Sequence, residues 1–112
     1  MNDNAPKVII YKKDRINYLL NGVSNFYKMP IEEIQTKRAR TDQRYKAKRM
    51  TVKLLRDVGD LSWKEIKHTF THGDEGNGWV IYQRLNEDLS AGDAINNGLK
   101  REYKELLKSM GL

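Results

Sequence analysis

The chain has 112 residues, of which 38% are apolar and 32% charged, enough for one domain with a modest core and too apolar for a disordered chain. Its 21 Lys and Arg against 15 Asp and Glu leave a net charge of +6, which permits a nucleic-acid partner without requiring one. The absence of cysteine excludes disulfides, Cys-ligated zinc and thiol catalysis, and the longest apolar runs are too short to span a membrane.

In chain order, residues 1–11 read as an N-terminal arm, with Pro6 and a short Val8–Tyr11 run that suits a small strand or packing onto the core. That run is too short for the h-region of a signal peptide, so a cytoplasmic chain is expected. From Lys12 onward, Ile16, Leu19, Leu20, Val23, Phe26 and Tyr27 recur in steps of three and four, the face of an amphipathic helix, with Gly22 inside it at a cost of about 1 kcal/mol relative to Ala. Met29-Pro30 ends that helix. Pro30 suits the first turn of a short helix holding Glu32, Glu33 and Ile34, its acids near the positive end of the dipole. Residues 35–43 are polar and basic and read as a loop.

The spacing next predicts a helix from Arg44 to Val58, with Met50, Leu54, Leu55 and Val58 as its apolar face and Gly59 as its stop. Ser62-Trp63-Lys64-Glu65 has the capping-box pattern, so a helix should start there and run to about Phe70, with Ile66 and Phe70 on its buried side. Thr71–Gly78 is glycine-rich and reads as a loop. Trp79–Leu89 is helical again, with Val80, Ile81, Leu85 and Leu89 apolar. Ser90-Ala91-Gly92-Asp93 gives another cap-like start, and Ile95, Leu99, Tyr103, Leu106 and Met110 mark the last helix. No segment carries the strand period. The expectation is an all-α domain over residues 12–112, with about five or six helices.

Charge is unevenly placed along this framework. Residues 1–58 hold 14 basic and 6 acidic residues, while residues 59–112 hold 7 basic and 9 acidic ones. Most of the excess falls between Lys37 and Arg56, where Lys37, Arg38, Arg40, Arg44, Lys46, Lys48, Arg49, Lys53 and Arg56 are opposed by Asp42 alone. A charge run often only solvates a helix face. This one is nearly one-signed, straddles a loop and a helix start, and has Tyr45 interleaved, which also suits a phosphate-binding edge.

Catalytic and metal chemistry find little support. Glu65, His68 and His72 have metal-ligand spacing only on a continuous helix, and the helix should end near Phe70. The Gly73–Gly78 stretch lacks the Lys-Ser/Thr pair of a phosphate loop, follows no strand, and carries Asp74 and Glu75, which repel an anion. Asp60, Asp74 and Glu75 as paired carboxylates lack a pocket, and Ser62 is better explained as a cap than as a nucleophile. No enzyme activity, cofactor, metal or small-molecule substrate is expected.

The segment 62–89 is more informative. A capped helix of about nine residues, a glycine-containing connection and a second helix with Trp79, Ile81 and Leu85 outline a helix-turn-helix, with a basic helix and loop just upstream.

These features, taken together, resemble the C-terminal DNA-binding domain (domain IV) of the bacterial chromosomal replication initiator DnaA, which has a Trp-repressor-like helix-turn-helix. Val23-Ser24-Asn25-Phe26-Tyr27 and Ile31-Glu32-Glu33-Ile34 resemble that domain's opening helices, and Lys37-Arg38-Ala39-Arg40 its Lys-Arg-Arg run. Lys46-Ala47-Lys48-Arg49-Met50 falls where the family has a basic Arg-Pro-Arg-Gln element. Leu61-Ser62-Trp63-Lys64-Glu65-Ile66 with Phe70 resembles its Ser-Leu-Pro-Glu-Ile-Gly…Phe helix, and Ile95–Met110 falls where its terminal helix lies. The likeness runs from Ile16 to Met110. The family's base-reading signature Arg-Asp-His-Thr-Thr-Val is replaced by Gly73-Asp74-Glu75-Gly76-Asn77-Gly78-Trp79-Val80, in which only Asp74 corresponds.

By resemblance, backbone contacts fall to Lys46, Lys48 and Arg49, with Arg40 and Arg44 near a minor groove. Together with Lys37 and Arg38 these form the expected phosphate-gripping set. Asn77, Gln83 and Arg84 are the remaining candidates to read bases. Two functions follow. The first is a small DNA-binding protein of bacterial or phage type, with duplex DNA as partner and a role in replication or its regulation. The second is a non-catalytic interaction module that keeps the fold, has lost DNA reading, and binds a replication protein through residues 71–79 and Trp79. The first is preferred, because losing base contacts does not remove the phosphate contribution to affinity.

Overall fold

The computed structural model describes residues 12–36, 41–70, 78–91 and 93–112, and the expected arm at 1–11 lies outside them. The described chain is all-α. It has α1 (Lys12–Tyr27), α2 (Ile31–Thr36), α3 (Asp42–Asp57), α4 (Trp63–Thr69), α5 (Gly78–Ser90) and α6 (Asp93–Ser109), with no strand among the described residues.

Helix α3 is the central element. Ala47, Met50, Thr51, Val52, Leu54 and Leu55 are all buried, and the other helices close around it with Leu19, Leu20 and Val23 of α1, Ile34 of α2, Ile66 of α4, Leu85 of α5 and Leu106 of α6. α3 begins at Asp42 because Thr41 caps it, its hydroxyl accepting from the Arg44 amide at 3.1 Å; that is two residues earlier than the apolar spacing predicts. At the other end Val58, expected on the apolar face, is the C-cap and is 38% exposed.

The turns that follow α1 and α3 are set by unusual backbone. α1 ends with Lys28 in the left-handed region (φ 54), and the Met29 amide donates back to Ser24 O at 3.0 Å while the Met29 side chain is buried. This is the Schellman arrangement with lysine where glycine is usual. After α3, the left-handed residue is Asp60 (φ 56) and not Gly59. Gly59 serves another need: a Cβ there would lie 2.8 Å from Leu55 O and 3.1 Å from Leu19 Cδ1, so only glycine lets the end of α3 approach α1. Gly22 has a similar reason, since the Met110 side chain of the α6 end packs where its Cβ would be.

The capping box at α4 is formed as the sequence predicts. Ser62 Oγ accepts from the Glu65 amide at 3.2 Å and Glu65 Oε1 accepts from the Ser62 amide at 2.9 Å. Ile66 and Phe70 are buried, which sets α4 against the core and leaves Lys64, Lys67 and His68 exposed.

Candidate nucleic-acid interface

The basic residues of α3 divide by which neighbour they meet. Arg44 lies toward α2, and its Nη2 donates to Glu33 Oε2 at 2.9 Å. Arg49 lies toward α5, its Nη1 2.8 Å from Asp88 Oδ2 and its guanidinium 4.7 Å from the Tyr45 ring centroid. Lys53 donates to Asp57 and to Asn86 of α5, with its ammonium 5.2 Å from both the Tyr82 and Tyr103 rings. Arg56 donates to Leu61 O and stacks 4.4 Å over Trp63 of α4. Each cation thus braces α3 to another element through a carboxylate, a carbonyl or a ring.

Lys48 is the extreme case and corrects the expectation that it grips a phosphate. It is 1% exposed; its ammonium donates to Ile34 O at 2.6 Å and lies 5.2 Å from the Phe70 ring. A buried ammonium spent on the last turn of α2 cannot also reach a DNA backbone. Arg44 and Arg49 are corrected in part, since their side chains are 19% and 11% exposed and are engaged by acids. Lys46 is the expected contact that is open, 47% exposed, with its ammonium 3.9 Å from Glu102. Lys37, Arg38 and Arg40 lie outside the described residues, as does Asn77.

Burial also acts on the tyrosines around this helix. Tyr27 donates to Glu102 at 2.5 Å, and burial first, then that hydrogen bond, push its hydroxyl well above the ordinary tyrosine range. Burial first, then Asp57 and Tyr82, push Tyr103 up to about 12. Tyr27 stays a neutral donor to Glu102, and Tyr103 a neutral ring beside the Lys53 ammonium, consistent with a bracing role.

The exposed surface of the α4–α5 pair is different in kind. Gly78 at the head of α5 packs against Ile66, Trp63 and Val52, and Trp63 meets Tyr82 edge to face at 5.3 Å. With Leu85 buried, the outward side of α5 presents Trp79 (52% exposed), Gln83, Arg84 and Glu87. On α4, Lys67 follows Trp63 by one turn and so continues the flank that faces α5. Lys64 and His68, also one turn apart, lie on the opposite flank. There they line a groove of ≈ 400 Å³ together with Ile16, Gln35, Glu65 and Thr69. The lysines of α4 carry a weaker sequence signal than the denser basic run upstream, namely a spacing that marks exposed faces of a capped helix.

Among the described residues no three His, Asp or Glu side chains come close enough to hold a metal ion, and no helix is long and apolar enough to cross a membrane. The class that fold and surface define is a small all-α domain, with six helices among the described residues and a mixed polar and aromatic face on its α4–α5 pair. No family model, curated protein or solved structure matches the chain.

Proposed function

We propose that the chain is a duplex-DNA-binding protein in which α4 and α5 act as a helix-turn-helix and α5 enters the major groove. What carries the reading is the outward face of α5, where Gln83 and Arg84 are exposed and take no part in the core. Arg reads the O6/N7 edge of guanine and Gln the N6/N7 edge of adenine, each bidentate contact contributing about 1–3 kcal/mol of discrimination. Phosphate contacts fall to Lys46, to Lys67 and to the chain positions Lys37, Arg38 and Arg40 that precede α3. Neutralising about five phosphates gives a log-log salt slope of about −4 to −5. The resemblance to domain IV of DnaA supports the same reading, including a role in replication or its control. The altered start of the second helix implies a DNA preference different from that family's.

The test is fluorescence anisotropy of labelled duplexes, one with an initiator box and one scrambled, at several salt concentrations. Arg84→Ala should weaken the preferred duplex more than a scrambled one, and Lys67→Glu should weaken both alike. No binding at low salt would remove the proposal.

A second reading has its own observation. Trp79 is a large aromatic side chain standing 52% exposed at the head of α5, and tryptophan is enriched among the residues that dominate protein interfaces. On this reading the α5 face is an interaction module for a replication protein. Binding of such a partner that is insensitive to salt and abolished by Trp79→Ala would favour it.

A further inference from the structure

Of the five large apolar side chains that stand exposed among the described residues, Tyr18, Val58 and Leu112 surround one small dimple. Apolar residues exposed singly need no explanation, but three gathered from α1, the end of α3 and the segment after α6 do. Arg15, Leu19 and Gly59 complete the lining, and the volume is ≈ 30 Å³. That is far below the roughly 300 Å³ of a small-molecule cleft and suits the tip of one aliphatic side chain. The dimple is held in shape by its own contacts. Gly59 lets the end of α3 close on Leu19, the Tyr18 hydroxyl donates to Met110 O, and the Leu112 amide donates to Leu107 O at 2.8 Å, which keeps Leu112 at the rim. Arg15 has its Nε buried with no hydrogen-bond partner among the described residues, so this side of α1 is short of an acceptor.

The sequence places an occupant within reach. Val8-Ile9-Ile10-Tyr11 is an uncharged run of four apolar residues immediately before α1, in a chain that is 32% charged. Four extended residues span at most about 14 Å, and Lys12 to Tyr18 is about 9 Å of helix, so the run reaches the dimple by folding back along α1. We propose that Val8–Tyr11 docks on this patch as a strap that covers Tyr18, Val58 and Leu112 and brings main-chain carbonyls to Arg15. Successive side chains of an extended run point to opposite sides, so one of Ile9 and Ile10 faces the patch. Tethering decides between this occupant and a second copy of the chain. A segment joined at Lys12 acts at an effective concentration of millimolar order, whereas two copies carry +6 each and repel. The strap goes beyond the DNA-binding reading and stands whether or not that reading holds.

The test is a double-mutant cycle in the full chain, read by urea unfolding and by ¹H–¹⁵N correlation spectra. Ile9→Ser/Ile10→Ser removes the apolar contact whichever of the two faces inward. It should lower the urea midpoint by about 0.5 M and shift the amides of Gly59 and Leu112, which are distant from the run in sequence. Val58→Ser should lower the midpoint in the wild-type chain and change it little in the Ile9→Ser/Ile10→Ser background, because an exposed Val58 has nothing left to lose there. Sedimentation equilibrium of the wild type should show a monomer. An unchanged midpoint with unshifted Gly59 and Leu112 amides would overturn the proposal, as would strictly additive losses in the cycle. A dimer that Ile9→Ser/Ile10→Ser or Val58→Ser dissociates would assign the patch to a second copy and overturn it too.

Discussion

Lys48 offers a sharp test, because reading the sequence puts it on a phosphate and its surroundings in the fold put it in the core. Truncation to alanine removes three buried methylenes, at about 0.8 kcal/mol each. It also deletes a hydrogen bond from a charged donor, of the kind that contributes about 1.5–3 kcal/mol. Relief of the ammonium's own desolvation offsets part of the loss. The net expectation for Lys48→Ala is a destabilisation of about 3 kcal/mol. Lys48→Met keeps most of the stem volume and loses only the ammonium, so about 1 kcal/mol is expected. With about 4 °C of melting temperature per kcal/mol for a domain of this size, the alanine variant should melt about 12 °C lower and the methionine variant about 4 °C lower. Thermal and urea unfolding followed by circular dichroism measure both. Folded Lys48→Met should also bind duplex DNA as the wild type does. An unchanged melting temperature for Lys48→Ala, joined to a uniform loss of DNA affinity, would refute the burial argument and restore the phosphate role.

Other perturbations test the turns and the caps. Lys28→Gly should stabilise the domain by about 0.5–1 kcal/mol, because glycine occupies the left-handed region without strain; an increased urea midpoint is the readout. Ser62→Ala should cost about 1 kcal/mol through loss of the capping box. Tyr103 should ionise late: its hydroxyl is pushed from 10.0 to about 12 in the folded chain, so the unfolded chain loses its proton first. The stability tied to this group is therefore intact below pH 10 and is lost as pH rises toward 12. Tyrosinate absorbance of the wild type against Tyr103→Phe checks that order.

Local signals carried much of the fold. The start of helix α4 was legible to the residue because the Ser62–Glu65 box is a short-range device whose partners lie three apart. α1, α5 and α6 followed from apolar spacing, within a residue or two at their ends. What local reading missed came from contacts between distant segments. Lys48 sits on the same stripe as Val52 and Leu55, both buried, so its position on the helix was readable as inward. Its lysine identity outweighed that signal, because the acceptor that makes burial tolerable, Ile34 O, belongs to another helix. Arg49 and Asp88 are 39 residues apart, and nothing in the composition of the basic run shows that its charges are spent internally. Val58 reads as part of the apolar face by spacing alone, and its exposure follows from the chain turning at Gly59 and Asp60. Of the base-reading candidates, Gln83 and Arg84 were legible as outward because Leu85 and Ile81 fix the inner face of α5.

The most direct test of the central claim is a ¹H–¹⁵N correlation titration of the labelled chain with an unlabelled duplex. The account predicts that the amides shifting most belong to α5 around Trp79, Gln83 and Arg84, to Lys67, and to the residues preceding α3, with Lys48 and Arg49 little changed and the groove around Ile16 silent. Shifts centred on the middle of α3, or none at low salt, would contradict it.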